Sequence, residues 1–189
     1  MPTVAAGPTV KAFPLKQHLV LVGMMGAGKT TLGRRLAKHL SVPFVDADDA
    51  ISEAAGMEIS EIFEVLGEDA FREGERKVIL RLLEKKPCVL ATGGGAFLNK
   101  ETRDAITANS VSIWLDADLD TLVQRTSRNR ARPLLSGVNR AVKLSQLKTA
   151  RDPIYSQALI KIDTNNKTWA SLIDAILTSC RPYMTETNT

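Results

Sequence analysis

The octapeptide GMMGAGKT, near the start of the chain, has the residue types and spacing of a phosphate-binding loop. It reads Gly23-x-x-x-x-Gly28-Lys29-Thr30, and its glycines allow consecutive backbone N–H groups to turn inward as a nest for an anion. Lys29 can reach the β- and γ-phosphates of a nucleotide, and the Thr30 hydroxyl can bind Mg²⁺. An apolar segment precedes the loop and an amphipathic segment follows it, as the strand and helix of such a motif require. The sequence therefore predicts a nucleotide site, and the acceptor of the phosphate has to be inferred from the rest of the chain.

Two aspartates follow the second apolar segment, in Phe44-Val45-Asp46-Ala47-Asp48. Carboxylates at i and i+2 point the same way where the chain stays extended, so both can face a metal ion or an acceptor hydroxyl. We expect Asp46 to lie on the side of the site that holds magnesium. We expect Asp48 to act as the base that takes the proton from the acceptor hydroxyl. The alternative is that Asp48 only caps a helix over residues 49–55, although capping and catalysis do not exclude each other.

An arginine and a run of glycines are further candidates for binding the acceptor. Arg72 follows Phe71 of a buried helical stripe, where its guanidinium can bind a carboxylate through two hydrogen bonds. Glu75, three residues on, can hold Arg72 in position; the alternative is a surface ion pair of little energetic value. Three consecutive glycines, Gly93–Gly95, indicate a close approach of the backbone to a ligand, with a plain flexible loop as the alternative.

Five short apolar runs alternate with amphipathic segments and must position these residues. The runs are HLVLV (18–22), PFV (43–45), CVLA (88–91), VSIWL (111–115) and LIKI (159–162). Runs that are apolar on both faces are typical of central strands in a parallel sheet covered by helices. They predict a three-layer α/β/α fold with a five-stranded parallel sheet and ligands at the carboxyl ends of its strands. Within it we expect a helix over about 69–85, stopped by Pro87, and a shorter helix capped by Ser60.

Length and composition limit the class of protein. A chain of 189 residues with a net charge of +4 suits one globular domain, and no apolar run approaches the ~20 residues of a membrane span. Residues 1–17 lack a long apolar stretch, which disfavours secretion and favours the cytoplasm, where Cys88 would be a reduced core residue. No aromatic residue interleaves the arginines between Arg125 and Arg140, so nucleic acid is not expected as a partner.

With these segments assembled, the chain resembles the shikimate kinase family. The resemblance rests on GMMGAGKTTLGRRLA, FVDADD, FREGE, TGGGA, RARPLL and ARDPIYSQAL, which follow one another over about residues 18–163. It implies phosphorylation of the 3-hydroxyl of shikimate by ATP, with Mg²⁺ as cofactor, on the route to chorismate and the aromatic amino acids. It also implies a monomeric P-loop kinase fold, with one domain over 18–180 and a mobile lid at about 124–140. The flexible extension over 1–17, which Pro2, Gly7, Pro8 and Pro14 favour, and the tail over 181–189 lie outside the resemblance.

The resemblance also implies roles for individual residues. The catalytic residues would be Asp48 as the base, Lys29, and Arg132 as the arginine of the lid. The residues expected to bind ATP are Gly26, Ala27, Gly28, Lys29, Thr30, Thr31, Arg125 and Arg132. The residues expected to bind shikimate are Asp48, Arg72, Gly93, Gly94, Gly95 and Arg151. Thr30 and Asp46 would hold the metal ion.

Three other classes of protein share part of this pattern. A GTPase switch is disfavoured, because Asn166-Lys167-Thr168-Trp169 lacks the aspartate of a guanine-reading motif. A gluconate kinase or a nucleotide kinase would share the phosphate loop but not the combination of DADD, FR and GGG. A nucleotide-binding protein without catalysis would not need Asp48 on the acceptor side.

Overall fold

The computed structural model of the chain describes residues 15–127 and 139–184. Within them, five parallel strands form one sheet in the order β2-β3-β1-β4-β5, which confirms the predicted parallel sheet. The strands are β1 His18–Val22, β2 Phe44–Asp46, β3 Val89–Ala91, β4 Ser110–Asp116 and β5 Ile160–Asp163. Each overlaps one of the apolar runs, and β4 extends past its run by one residue at each end.

Eight α-helices lie within the described residues and connect or flank these strands. They are α1 Lys29–Leu40, α2 Ala47–Ala55, α3 Ile59–Val65, α4 Gly67–Leu83, α5 Lys100–Asn109, α6 Leu119–Ser127, α7 Arg140–Tyr155 and α8 Trp169–Met184. A short 3₁₀ turn covers Ala96–Leu98. No helix in the described ranges is both long enough and apolar enough to cross a membrane.

The hydrophobic core surrounds the central strand β1. This position explains why the sequence of β1 is apolar at successive residues and does not alternate with polar ones. Every residue of β1 is buried, because helices cover both faces of the sheet. Cys88, next to β3, is a buried free thiol, as predicted. Burial raises the pKa of this thiol to about 11, so it stays protonated and unreactive at neutral pH.

The register of the parallel strands places the predicted site residues at one edge of the sheet. Ala91, the last residue of β3, pairs with Asp46 at the end of β2 and with Leu21 near the end of β1. The segments that follow these strands therefore emerge side by side, as expected at the carboxyl ends of a parallel sheet.

Some predicted helix boundaries are wrong. The short helix begins at Ile59 rather than after Ser60, and Glu58 occupies its N-cap position without a side-chain hydrogen bond. Burial of Ile62 and packing of Ile59 against the core outweigh the preference of serine for a cap. The helix expected over 69–85 begins at Gly67 and ends at Leu83.

The predicted ends of the domain also differ in part. Leu15, inside the predicted extension 1–17, packs against the core. The predicted tail from residue 181 overlaps α8, which continues to Met184, because the buried residues Ile176 and Cys180 anchor this part of the helix. Residues 1–14 and 185–189 lie outside the described part of the chain.

Replacing Gly33 with alanine tests how closely α1 packs on the sheet. A Cβ at Gly33 would lie 2.6 Å from Phe44 Cε2 and 3.1 Å from Leu21 Cδ1. We expect Gly33→Ala to lower the free energy of unfolding by about 1–2 kcal/mol, because overpacking outweighs the gain in helix propensity. Urea-induced unfolding measures this change.

Gly74→Ala is the matched control, since Gly74 also lies inside a helix. A Cβ there meets nothing within 4 Å, so we expect the free energy of unfolding to rise by about 0.4–1 kcal/mol. Equal effects at the two positions would contradict the close packing of α1 on β1 and β2.

Candidate active site

The phosphate loop connects the central strand β1 to α1, and its glycines adopt the backbone conformations that the motif requires. Gly23, Gly26 and Gly28 have φ of 133°, 84° and 99°, a region that strongly favours glycine. A Cβ at Gly23 would lie 2.6 Å from the carbonyl oxygen of Leu115. The loop therefore forms the predicted cradle at the N-terminus of α1, where the helix dipole favours an anion.

Lys29 places a positive charge inside this cradle. Its side chain is held across the loop, because Nζ donates to the carbonyl oxygens of Gly23 at 2.7 Å and Met24 at 3.0 Å. The residue is only 8% exposed. A buried ammonium fixed in this position is ready to bind phosphate oxygens.

Asp46 and Thr30 form a pair of oxygen ligands beside the loop. Thr30 Oγ1 donates to Asp46 Oδ2 at 2.7 Å. The other carboxylate oxygen, Oδ1, accepts from the backbone N–H of Asp48 at 3.1 Å, so Asp46 is the N-cap of α2.

The extended conformation assumed for the two aspartates is therefore wrong, although both of them line the same cleft. The helix begins at Ala47, and Asp48 lies in its first turn rather than in an extended segment or at the cap. The helix begins this early because Asp46 caps it. The Asp46 carboxylate accepts from a backbone N–H group of the first turn that would otherwise lack a partner.

Side chains from α2 and α4 approach the triple glycine so closely that a Cβ at Gly93 or Gly95 would force them to move. A Cβ at Gly93 would lie 2.5 Å from Glu75 Oε1 and 2.9 Å from Asp48 Oδ1. A Cβ at Gly95 would collide with the guanidinium of Arg72. Gly93 and Gly95 thus leave room for charged side chains against the backbone, as the predicted close approach requires. A Cβ at Gly94 would instead lie 3.3 Å from the backbone nitrogen of Met25.

Arg72 lies on α4 between two carboxylates. Its Nη1 donates to Glu75 Oε2 at 3.0 Å, while its Nε and Nη2 donate to Glu68 Oε1 at 3.3 and 3.0 Å. The guanidinium carbon is also 5.2 Å from the centre of the Phe71 ring. Burial opposes the charged form, but the two glutamates outweigh it and raise the pKa of Arg72.

Arg151 reaches the same glycines from α7. Its Nη1 donates to the carbonyl oxygen of Gly94 at 3.1 Å, and the residue is 8% exposed. Tyr155, one turn later on α7, donates its hydroxyl to the same carbonyl oxygen. Burial raises the pKa of Tyr155 to about 12, so this hydroxyl remains a donor throughout the physiological range.

Arg125 connects the phosphate loop to the segment after β5. Its Nη1 donates to the carbonyl oxygen of Ala27 at 3.3 Å, and its Nη2 to that of Thr164 at 3.2 Å. Trp169, the first residue of α8, comes within 3.8 Å of where a Cβ of Gly28 would lie.

One cleft of about 390 Å³ joins the phosphate loop to the two aspartates and to the first two glycines of the triple glycine. Arg72, Arg151 and Tyr155 lie behind the triple glycine and are not among the residues that line it. Its lining includes six of the predicted ATP-binding residues together with Asp46, Asp48, Thr92, Gly93, Gly94 and Trp169. The six are Gly26, Gly28, Lys29, Thr30, Thr31 and Arg125. A cleft with a phosphate nest on one side and carboxylates on the other has the arrangement that phosphoryl transfer requires.

The predicted lid falls largely outside the described residues. Residues 124–127 belong to α6, and Asn139 caps α7 with its side chain accepting from Val142 N–H. Residues 128–138, which include Arg132, are not among those that the structure describes.

Two residues of the site, Tyr155 and Trp169, were not predicted from the sequence. Tyr155 lies four residues after Arg151, so both side chains lie on one face of α7, and this spacing was a usable signal. Trp169 has no local signal, because it reaches the cleft only through packing of α8 against α1.

The sheet order, the glycine nest and the adjoining carboxylates together define a P-loop kinase that acts on a small molecule. A family model described as shikimate kinase matches residues 25–181. The chain is 50% identical over 169 residues to a shikimate kinase of Caulobacter vibrioides (strain NA1000 / CB15N), an alignment that covers 89% of this chain and 84% of the relative. The chain therefore belongs to the shikimate kinase family, as its motifs predicted.

Solved structures support the same placement. The shikimate kinase from Acinetobacter baumannii in complex with shikimate has a TM-score of 0.88 and 38% identity, with 94% of this chain and 100% of that chain covered. A gluconokinase from Sinorhizobium meliloti 1021 has a TM-score of 0.56 at 17% identity, covering 92% of this chain and 95% of that chain. The likeness to the gluconokinase shows the fold alone.

The pH dependence of stability tests the environment of Glu75. Burial raises its pKa above the ordinary value of 4.5, although Arg72 opposes part of this effect. The native state then keeps a proton that the unfolded chain has lost, so deprotonation favours unfolding. We expect the free energy of unfolding, relative to Glu75→Gln, to fall as the pH rises above 4.5, by up to about 1.4 kcal/mol per pH unit.

Glu73→Gln is the control, because the pH dependence of stability at Glu73 is expected to have the opposite sign. Hydrogen bonds from Arg76 and Lys77 lower the pKa of the exposed Glu73 to about 2. The ionised Glu73 therefore adds to the free energy of unfolding above pH 4.5, and this stabilisation is lost as the pH falls. Urea unfolding across a pH series measures both differences. The same sign for both glutamates would contradict the buried environment of Glu75.

Proposed function

We infer that the chain transfers the γ-phosphoryl group of ATP to the 3-hydroxyl of shikimate, giving shikimate 3-phosphate and ADP. This reaction lies on the route to chorismate and the aromatic amino acids. The observation that supports it best is the meeting of Asp48, Arg72 and Arg151 at Gly93–Gly95, beside the loop that holds Lys29.

The groups at the triple glycine complement the groups of shikimate. Shikimate carries one carboxylate and three hydroxyl groups, and two guanidinium groups, those of Arg72 and Arg151, are suited to hold its carboxylate. Asp48 accepts hydrogen bonds from the hydroxyl groups, and Gly93–Gly95 offer backbone amides. The acceptor is thereby held with one hydroxyl directed toward the nucleotide.

Transfer then requires a base and a positive environment for the phosphates. Asp48 accepts the proton of the 3-hydroxyl as the hydroxyl oxygen bonds to the γ-phosphorus and the bond to the β–γ bridging oxygen breaks. Lys29 and the N-terminus of α1 stabilise the charge on the β- and γ-phosphates. Arg132 is proposed to add a further positive charge from the lid.

Thr30 and Asp46 are the residues that we propose to hold Mg²⁺. Their oxygen atoms lie 2.7 Å apart, and a hydroxyl and a carboxylate suit this cation, which takes its remaining ligands from phosphate and water. When bound, Mg²⁺ neutralises charge on the β- and γ-phosphates.

Arg125 and the remaining residues of the loop complete the proposed ATP site. Gly26, Ala27, Gly28 and Thr31 would contact the phosphates through the loop and the first turn of α1. Arg125 would lie near the adenine, a placement supported by its hydrogen bonds to Ala27 and Thr164.

Several further features belong to the proposal. The protein is proposed to act in the cytoplasm as a monomer, with no nucleic acid as partner. Its one domain, predicted over 18–180, would extend to include Leu15 and the end of α8. A lid within about 124–140 would close and exclude water from the γ-phosphate. Size-exclusion chromatography with light scattering measures the oligomeric state.

A coupled assay of ADP release tests the reaction against its alternatives. The acceptors are shikimate, gluconate and nucleoside monophosphates, each supplied with ATP and Mg²⁺. We expect rapid ADP release only with shikimate. Faster turnover with gluconate or a nucleotide would indicate a related kinase, and no turnover with any acceptor would favour a nucleotide-binding protein without catalysis.

Substitution of Asp48 tests the proposed base. We expect Asp48→Asn to reduce kcat by about 10²–10⁴-fold, because the amide cannot accept the proton, while ATP still binds. The control is Asp49→Asn, which changes an adjacent side chain that is 76% exposed and lies 3.6 Å from Arg34; we expect it to leave kcat unchanged. Near-normal turnover of Asp48→Asn would exclude Asp48 as an essential group.

Substitution of Arg72 tests the carboxylate site. We expect Arg72→Ala to raise the KM for shikimate by about one to two orders of magnitude, since loss of a charged hydrogen-bonding partner costs about 1.5–3 kcal/mol. Arg76→Ala is the matched control, because Arg76 lies on the same helix but pairs with Glu73 and Glu101. An unchanged KM for Arg72→Ala would place the carboxylate elsewhere.

A further inference from the structure

The guanidinium of Arg72 is already engaged by carboxylates on all three of its nitrogen atoms. Nη1 donates to Glu75, whereas Nε and Nη2 both donate to one oxygen of Glu68. A substrate carboxylate that binds Arg72 therefore meets two acidic side chains that already bind the same cation.

The two glutamates differ in how firmly they are held. The side chain of Glu75 is 4% exposed, and that of Glu68 is 54% exposed. Exposed ion pairs contribute little to stability, so Glu68 is released easily, whereas removal of Glu75 from Arg72 would leave a buried carboxylate without its cation.

The position of Glu68 on the guanidinium is one that a ligand carboxylate can take. The Nε–Nη2 edge presents two parallel N–H groups, which match the two oxygens of a carboxylate. Glu68 accepts both of these N–H groups with the single atom Oε1, at 3.3 and 3.0 Å. A ligand carboxylate that places one oxygen on each N–H group would form two more direct hydrogen bonds.

We propose that Glu68 is an internal competitor for Arg72, displaced when the carboxylate of the substrate binds. Glu68 thereby weakens the affinity of the site for its substrate while it keeps Arg72 paired in the absence of substrate. This inference rests on the proposed function, specifically on the assignment of Arg72 to the substrate carboxylate.

Neutralising Glu68 tests the competition, because the proposal fixes the sign of the effect. Glu68→Gln retains the size of the side chain and removes its charge. We expect the Kd for shikimate, measured by isothermal titration calorimetry on the full chain, to fall by about two- to fivefold, the range of an exposed ion pair. The KM for shikimate is expected to fall with it, and Glu68→Ala is expected to act in the same direction.

Asp69→Asn is the matched control for Glu68→Gln. Asp69 is also an exposed acidic residue in the first turn of α4, so its neutralisation makes the same change in net charge and at the same helix end. We expect this variant to leave the Kd unchanged. In an Arg72→Ala background, addition of Glu68→Gln is expected to have no effect on the Kd, because the two residues act through one contact.

The outcomes separate this inference from the proposed function. A higher Kd for Glu68→Gln would mean that Glu68 orients Arg72 for the substrate, and an unchanged Kd would mean that no competition exists; either result overturns the inference alone. Absence of shikimate binding by the unaltered chain would overturn the proposed function together with the inference. Urea unfolding of each variant verifies that the fold is intact.

Discussion

The acceptor side of this site depends on one constraint: charged side chains from three helices pack directly against the backbone that follows β3. Asp48 comes from α2, Glu75 and Arg72 from α4, and Arg151 from α7, and all meet at Gly93–Gly95. Any side chain on Gly93 or Gly95 would occupy the space of these charged groups. The absence of a Cβ is thus what allows carboxylates and guanidinium groups to lie within a few ångströms of one another beside the nucleotide cradle.

Three cations of the site have hydrogen-bond partners within the protein itself. Lys29 and Arg151 donate to backbone carbonyl groups, and Arg72 donates to two glutamates. These hydrogen bonds hold each cation in place and offset part of the cost of burying it. Such preorganisation lowers the cost of ordering side chains when a substrate arrives.

The register of the sheet sets where these groups lie, and the helices carry most of the side chains. Because Asp46, Ala91 and Leu21 share one register, the segments that carry the phosphate loop, the Asp46 cap and the glycines leave the sheet at the same level. Tyr155 extends this arrangement to α7, since its hydroxyl shares the carbonyl oxygen of Gly94 with Arg151. A shift of one strand would separate the nucleotide cradle from the acceptor groups.

The sequence alone determined the phosphate loop, the five parallel strands, the family, and the candidates on the acceptor side, because each leaves a local signature in glycine spacing, apolar runs or short motifs. Tertiary structure decided what depends on contacts between distant segments. It made Asp46 rather than Asp48 the cap of α2, gave Arg72 two carboxylate partners of unequal burial, and brought Tyr155 and Trp169 to the site. The physical reason is that local patterns encode backbone preferences within a few residues, whereas side-chain partners and burial are set by strand register and helix packing across tens of residues.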